Sequence, residues 1–271
     1  MCEQIKRALL VGINYRGSQC ELGGCINDVL TVKDLLVNKY GYKDENIVLL
    51  TDDTEYKPTN KNIIEGLKWL LSTNSCDEFG HECKPLDSSL NPELFFHYSG
   101  HGGYVIDTDG DEVDGFDETL CPIDYLTCGM ITDDTIRDTL VVNVPENGKL
   151  FCIVDACHSG SSLDLLWNVK AESSTSFNLC KIGTYAPTKG DVILLSGCKD
   201  EQTSSDIEIN GKGTGALTYA FIQVLKESNY DITYDKLLLN IRDYIHKNEL
   251  SDQTPCMSFG KAVDIDRKFS L

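Results

Sequence analysis

Two short loops in this sequence carry side chains suited to chemistry. Ser99-Gly100-His101-Gly102-Gly103 follows the apolar run 94–98, and Asp155-Ala156-Cys157-His158-Ser159-Gly160 follows the run 150–154. Each loop sets a reactive residue among or beside glycines just past a buried-strand pattern, where the chain can turn sharply and a substrate can come close. Cysteine attacks a carbonyl as its thiolate, so it needs a base or a positive field beside it. His101 is the candidate base for Cys157. The amides of Gly102 and Cys157 are candidate oxyanion donors, each typically worth about 3–4 kcal/mol. His158 is a rival base, but a residue adjacent in sequence generally projects away from the Cys157 side chain. Ser99 and Ser159 are rival nucleophiles, neither in a Gly-x-Ser-x-Gly elbow. A cysteine at a strand end is most often simply buried, so the pair matters only if the two loops meet.

The surrounding elements predict that they do. Five runs, 8–14, 46–51, 94–98, 150–155 and 191–197, are short and apolar on both alternating faces. That is the pattern of parallel strands covered by helices on both sides. Helical spacing lies between them. Val29, Leu30, Val32, Leu35 and Leu36 mark 27–39, stopped by Gly41; Ile63, Ile64, Leu67, Leu70 and Leu71 mark 59–71, opened by Thr59-Asn60. Further helices are predicted over 132–140, 216–227 and 234–248. Such alternation implies an α/β sandwich, and open parallel sheets bind ligands at the carboxyl ends of their strands. Both reactive loops lie there. The stretch 73–91 reads as a polar loop. The stretch 167–188 reads as a linker. The chain then divides into a large catalytic segment (1–166), a linker (167–190) and a small segment (191–271) within one folded domain.

Composition narrows the partners. A formal net charge of −19 over 271 residues argues against nucleic acid, whose phosphates need Lys and Arg. It suits cationic substrates, divalent metals or simply a soluble acidic surface. The twelve cysteines include no Cys-x-x-Cys pair, which argues against zinc. No run approaches the ~18 apolar residues of a membrane span, and the N-terminal apolar run is too short for a signal-peptide core. These features predict a cytoplasmic protein with reduced thiols.

His-Tyr-Ser-Gly-His-Gly (97–102) and Asp-Ala-Cys-His-Ser-Gly (155–160) resemble the two catalytic motifs of the metacaspases, distant relatives of caspases. The opening strand Leu10-Val11-Gly12-Ile13-Asn14-Tyr15, the segment 21–28 and the segment 196–206 extend the resemblance from about residue 7 to the C-terminus. It implies a caspase-like α/β/α sandwich with a mostly parallel central sheet. It also implies a His101/Cys157 dyad with Gly102, cleavage of proteins or peptides after Arg or Lys, and a monomer. The residues lining the family's basic-side-chain pocket map onto Asp28 and Asp155, with Cys25 and Ser99 beside them. A guanidinium or ammonium needs such carboxylates, although Asp28 also suits a helix N-terminus on dipole grounds alone. The short linker and the early dyad resemble a type I member without its prodomain.

The resemblance further implies Ca²⁺, held by Asp117, Asp133, Asp134 and Asp164, the last of them seven residues after Cys157. The acidic segment 107–118 has the oxygen-rich composition calcium prefers. It is no EF-hand, since placing Gly110 at the loop glycine puts Val105 first and Phe116 last. Asp107, Asp109 and Asp111 are then outer charges. Self-processing at Lys170, Lys181, Lys189 or Lys212 is a further expectation. A catalytically silent scaffold and an Asp-specific peptidase are the alternatives. The latter needs pocket arginines, and of Arg7, Arg16, Arg137, Arg242 and Arg267 only Arg16 lies near a relevant strand end.

Overall fold

The computed structural model describes residues 5–72, 79, 90–108, 110, 115–157, 162–171, 177–182, 185–197, 206–209 and 212–271, with backbone alone at 171, 206–209 and 212. In chain order the strands are β1 (Lys6–Gly12), β2 (Ile47–Thr51), β3 (Glu93–Ser99), β4 (Gly102–Ile106), β5 (Phe116–Leu120), β6 (Ile131–Thr132), β7 (Lys149–Asp155), β8 (Trp167–Ala171), β9 (Phe177–Lys181), β10 (Asp191–Ser196), β11 (Asp206–Ile209), β12 (Lys212–Gly215) and β13 (Cys256–Phe259). The helices are α1 (Cys25–Tyr40), α2 (Asn60–Leu70), α3 (Tyr125–Cys128), α4 (Asp133–Thr139), α5 (Ala216–Glu227) and α6 (Tyr234–Lys247).

The five apolar runs are the five parallel strands of the central sheet, whose order is β2-β1-β3-β7-β10-β13-β8-β9. Their alternation feeds two cores. Leu9, Val11 and Phe96 face Leu67, Leu70 and Ile136 of α2 and α4. Ala8, Leu10, Phe95 and Phe151 face Val29, Leu36, Phe221 and Ile241 of α1, α5 and α6. Each buried Leu, Ile, Val or Phe contributes about 1.5–3 kcal/mol relative to exposure, so both faces hold the sheet between helical layers. The predicted helix ends hold. Gly41 caps α1 at φ 71°, and the Thr59 hydroxyl accepts from the Asn62 amide at the start of α2.

The remaining sheet strands, β8, β9 and β13, are antiparallel. Segment 167–190, read as a linker, therefore adds a hairpin to the sheet edge. The sheet itself runs across the division at 166–191, because β7 pairs with β10. Of the predicted loop 73–91 only Phe79, Leu90 and Asn91 are described. No described helix is long and apolar enough to cross a membrane.

One core residue is chemically out of place. His97 is fully buried on the α1/α5 side of β3, where burial lowers its pKa from 6.5 to about 3. An unfolded chain takes up this proton below pH ~6.5, while the folded chain refuses it until about pH 3. Stability is thus lost as pH falls through that window, at about 1.4 kcal/mol per pH unit from this group. Urea unfolding of wild type and His97→Gln between pH 7 and 4 is the check. The wild type is expected to lose stability faster by that slope, and parallel curves would refute the assignment.

Candidate active site

Pairing of β3 with β7 sets Ser99 opposite Asp155, so the two reactive loops leave adjacent strand ends side by side. The loops then touch. The Gly100 amide donates to the Asp155 carbonyl at 3.3 Å. A Cβ placed on Gly102 would sit 2.0 Å from the carbonyl oxygen of Cys157. His101 and Cys157 are both half-buried, open to solvent on one side.

The His101 ring is fixed from the loop after β1. Its Nε2 lies 2.7 Å from the carbonyl oxygen of Cys20. A carbonyl only accepts, so Nε2 carries the hydrogen and Nδ1 keeps the lone pair that can take a proton. The Tyr15 ring packs on the imidazole with centroids 4.7 Å apart. Two phenols bracket the His101 backbone. The His101 amide donates to the Tyr15 hydroxyl at 3.0 Å, and the Tyr98 hydroxyl donates to the His101 carbonyl at 2.7 Å. Both phenols also reach the Cys121 carbonyl, and burial raises both of their pKa values well above 10, so they stay protonated donors. Gly100 makes room for them, since a Cβ there would meet both hydroxyls at about 3 Å. Cys121 is not a rival nucleophile. Burial, then Cys20 and Cys157, push its thiol up to about 11.

The Gly102 amide is placed by the small sheet β4-β5-β6. Because the Cys121 amide donates to the His101 carbonyl, Gly102 and Leu120 form a non-hydrogen-bonded pair, whose polar groups point away from the partner strand. The Gly102 amide is thereby left out of that ladder, next to Cys157. His158 and Ser159 lie outside the described residues.

Asp28, Asp155 and Ser99 come together on the α1/α5 side. Asp28 is buried in the first turn of α1, yet its carboxylate accepts from other elements: Ser99 Oγ at 2.7 Å, Thr214 Oγ1 at 2.6 Å and the Gly215 amide at 3.0 Å. The helix dipole alone therefore does not explain it. Asp155 accepts from the Thr218 amide and hydroxyl at 2.9 and 2.8 Å. A Cβ on Gly215 would stand 2.2 Å from Asp155 Oδ2 and 2.9 Å from Asp28 Oδ2, so only glycine lets both carboxylates pack this closely against β12. Burial and then the Asp155 charge raise the Asp28 pKa to about 7. Cys25, buried at the start of α1, lies close enough to act on Tyr15 and Tyr98. Arg16 is drawn elsewhere, to Asp53 at 2.8 Å on the surface.

The acidic residues split into two groups. Asp117, Asp133 and Asp164 are buried and Asp134 is half-buried. Asp133 accepts from the Glu118 and Asp134 amides, and burial, then the Asp164 carboxylate, then Glu118, push its pKa up to about 10. Asp164 holds φ 46°, and its carbonyl accepts from Arg137 at 2.6 Å. Among the described residues no three His, Cys, Asp or Glu side chains converge as a ready-made metal cage. Asp107 instead caps its own turn by accepting from the Gly110 amide at 2.8 Å, while Asp109 and Asp111 lie outside the described residues. Sequence reading gave no role to Tyr15, Tyr98, Thr214 or Thr218, and took Glu118 only as part of the acidic segment 107–118. Only the two tyrosines carried a signal, by standing at strand ends.

A cysteine and a tautomer-fixed histidine at the C-terminal edge of a two-sided parallel sheet define a caspase-like cysteine peptidase architecture. The metacaspase, peptidase C14 domain family matches residues 6–166. Metacaspase-1 of Schizosaccharomyces pombe is 36% identical over 98% of this chain and 69% of its own length. Metacaspase-2 of Arabidopsis thaliana is 40% identical over 89% of this chain and 57% of its own. The crystal structure of a Geobacter sulfurreducens protein shares the fold, with a TM-score of 0.64 at 21% identity over 97% of each chain. The chain belongs to the metacaspases, a family of cysteine-type endopeptidases acting on proteins.

Proposed function

We propose that this chain is a calcium-dependent endopeptidase that cleaves after Arg or Lys through a Cys157/His101 dyad. The observation that carries the specificity is the convergence of Asp28 and Asp155 at Gly215. Two buried carboxylates meet beside the dyad loops, and a substrate cation reaching them would offset their mutual repulsion. An Asp-specific peptidase is disfavoured because Arg16 is paired with Asp53.

In this reading His101 Nδ1 takes the proton of the Cys157 thiol, and the thiolate adds to the scissile carbonyl. Amides of Gly102 and Cys157 stabilise the oxyanion. The imidazolium, steadied through Nε2–H by the Cys20 carbonyl, returns its proton to the leaving amine. His101 then activates water, which hydrolyses the thioester and restores the thiol. Asp117, Asp133, Asp134 and Asp164 would hold Ca²⁺. The donor set fits, because Asp133, Asp164 and Glu118 bring hard carboxylate oxygens close enough together to raise the Asp133 pKa to about 10, and calcium prefers such oxygens. Calcium held there would supply positive charge to this acidic group, and Asp164, seven residues after Cys157, would tie its segment to the site.

Self-processing belongs to the same proposal. Lys170 and Lys181 lie in the paired strands β8 and β9, and the Lys212 backbone is paired in β12. Lys189 is exposed between strands, so it is the favoured point of attack.

Fluorogenic peptides ending in Arg, Lys or Asp, assayed across a calcium titration, test the proposal. Turnover of Arg and Lys peptides only with calcium is expected, and Asp133→Asn should raise the calcium needed for half-activation at least about ten-fold. Preferred Asp cleavage, or full activity in a chelator, would overturn the specificity or the calcium claim respectively.

A further inference from the structure

The carboxylate of Asp155 is held from behind by a chain that ends in the core. The hydroxyl of Thr218 donates to Asp155 Oδ2 at 2.8 Å and lies 3.2 Å from Nε2 of His97. The Thr218 amide, in the first turn of α5, donates to the same Oδ2 at 2.9 Å. An oxygen receiving two donors is an acceptor, and the hydroxyl has a single hydrogen. With that hydrogen on Asp155, only lone pairs remain for His97, so its Nε2 is the donor. Its Nδ1 then carries a buried lone pair, with no partner among the described residues. A polar ring in an apolar layer is costly unless it bonds. Its one bond leads to the acidic pocket.

We propose that His97 and Thr218 are positioning residues of the specificity pocket: the relay His97 Nε2–H to Thr218 Oγ1–H to Asp155 Oδ2 holds Asp155 ionised and oriented for the substrate's cationic side chain. The inference rests on reading Asp28 and Asp155 as that pocket. Asp155, with two strong donors on one oxygen and a helix N-terminus behind it, keeps its charge.

The test is steady-state kinetics with peptides carrying Arg, Lys or uncharged norleucine before the cleaved bond. Thr218→Val keeps the shape and removes the hydroxyl. It is expected to raise KM for Arg and Lys peptides about 10- to 100-fold with a much smaller change in kcat, and to leave norleucine cleavage unchanged. Thr218→Ser should restore KM. His97→Leu should reproduce some of the defect, and His97→Gln, whose amide can donate to Thr218, should repair it. If wild type shows no preference for Arg or Lys over norleucine, the pocket reading itself falls. If the preference exists but Thr218→Val leaves KM unchanged, or lowers kcat for all three peptides equally, the relay alone is refuted. Should the apolar variants fail to fold, imidazole ¹⁵N spectra of the wild type decide. A neutral ring protonated at Nε2 from pH 5 to 8 supports the relay, and protonation at Nδ1 overturns it.

Discussion

Cys157→Ala is expected to abolish peptide hydrolysis, by at least about 10⁴-fold in kcat, while leaving the thermal unfolding curve close to wild type. The side chain is half-buried at the mouth of the site, so its loss opens no core cavity. His101→Ala should cost nearly as much, because the pair works as a unit. The double variant should then be no slower than the worse single one. The measurement is kcat for all three proteins on an Arg peptide, with circular dichroism to confirm folding. Residual activity of Cys157→Ala within ten-fold of wild type would remove Cys157 from the nucleophile's role.

Gly102→Ala carries the second large effect, through backbone alone. The added methyl would stand 2.0 Å from the Cys157 carbonyl oxygen and 3.1 Å from its carbon. Neither atom belongs to a flexible side chain, so either β4 or the Cys157 turn must move. Movement takes the Gly102 amide away from the position an oxyanion would occupy. A loss of about 10²–10³-fold in kcat, with KM little changed, is expected. Gly103→Ala is the control. Its methyl would meet side-chain ends alone, Thr119 Oγ1 at 3.3 Å, Met130 Sδ at 3.4 Å and Cys121 Sγ at 3.9 Å, and no backbone atom. Equal kinetics for the two variants would show that Gly102 does not need its close approach.

These effects trace back to features of uneven legibility. The five parallel strands were readable because each is apolar on both faces, and their shared edge follows from parallel pairing. That edge was the ground for expecting His101 near Cys157, whereas the pairing of Asp155 with Ser99 came from the structure. The helices were readable from spacing and from caps such as Thr59 and Gly41. Less was readable where pairing is long-range or backbone-borne. Strand β13 has four residues and pairs across the chain with β10, so no local pattern marks it. Segment 167–190 hides its alternation of Trp167, Val169, Phe177 and Leu179 among polar residues. Thr214 and Thr218 reach Asp28 and Asp155 from more than sixty positions away, and serve through hydroxyls that look like ordinary helix-start residues. The acidic residues were legible as a composition. Which of them lie buried together was not, and Glu118, read only as part of the acidic segment, acts on Asp133.

The partner that orients His101 is a peptide carbonyl at position 20 and not an acidic side chain. A point substitution can delete a carboxylate but cannot delete a carbonyl. Position 20 is therefore free to drift in residue type without loss of catalysis, and Cys20→Ser or Cys20→Ala should turn over normally. Control moves instead to the path of the main chain between Tyr15, held at φ 50°, and Leu22, whose amide is tied to the Asn14 carbonyl. Anything that shifts this short span by an ångström disarms the enzyme while every catalytic side chain stays intact. The weak point of the site is thus a contour, invisible to a comparison of residue identities.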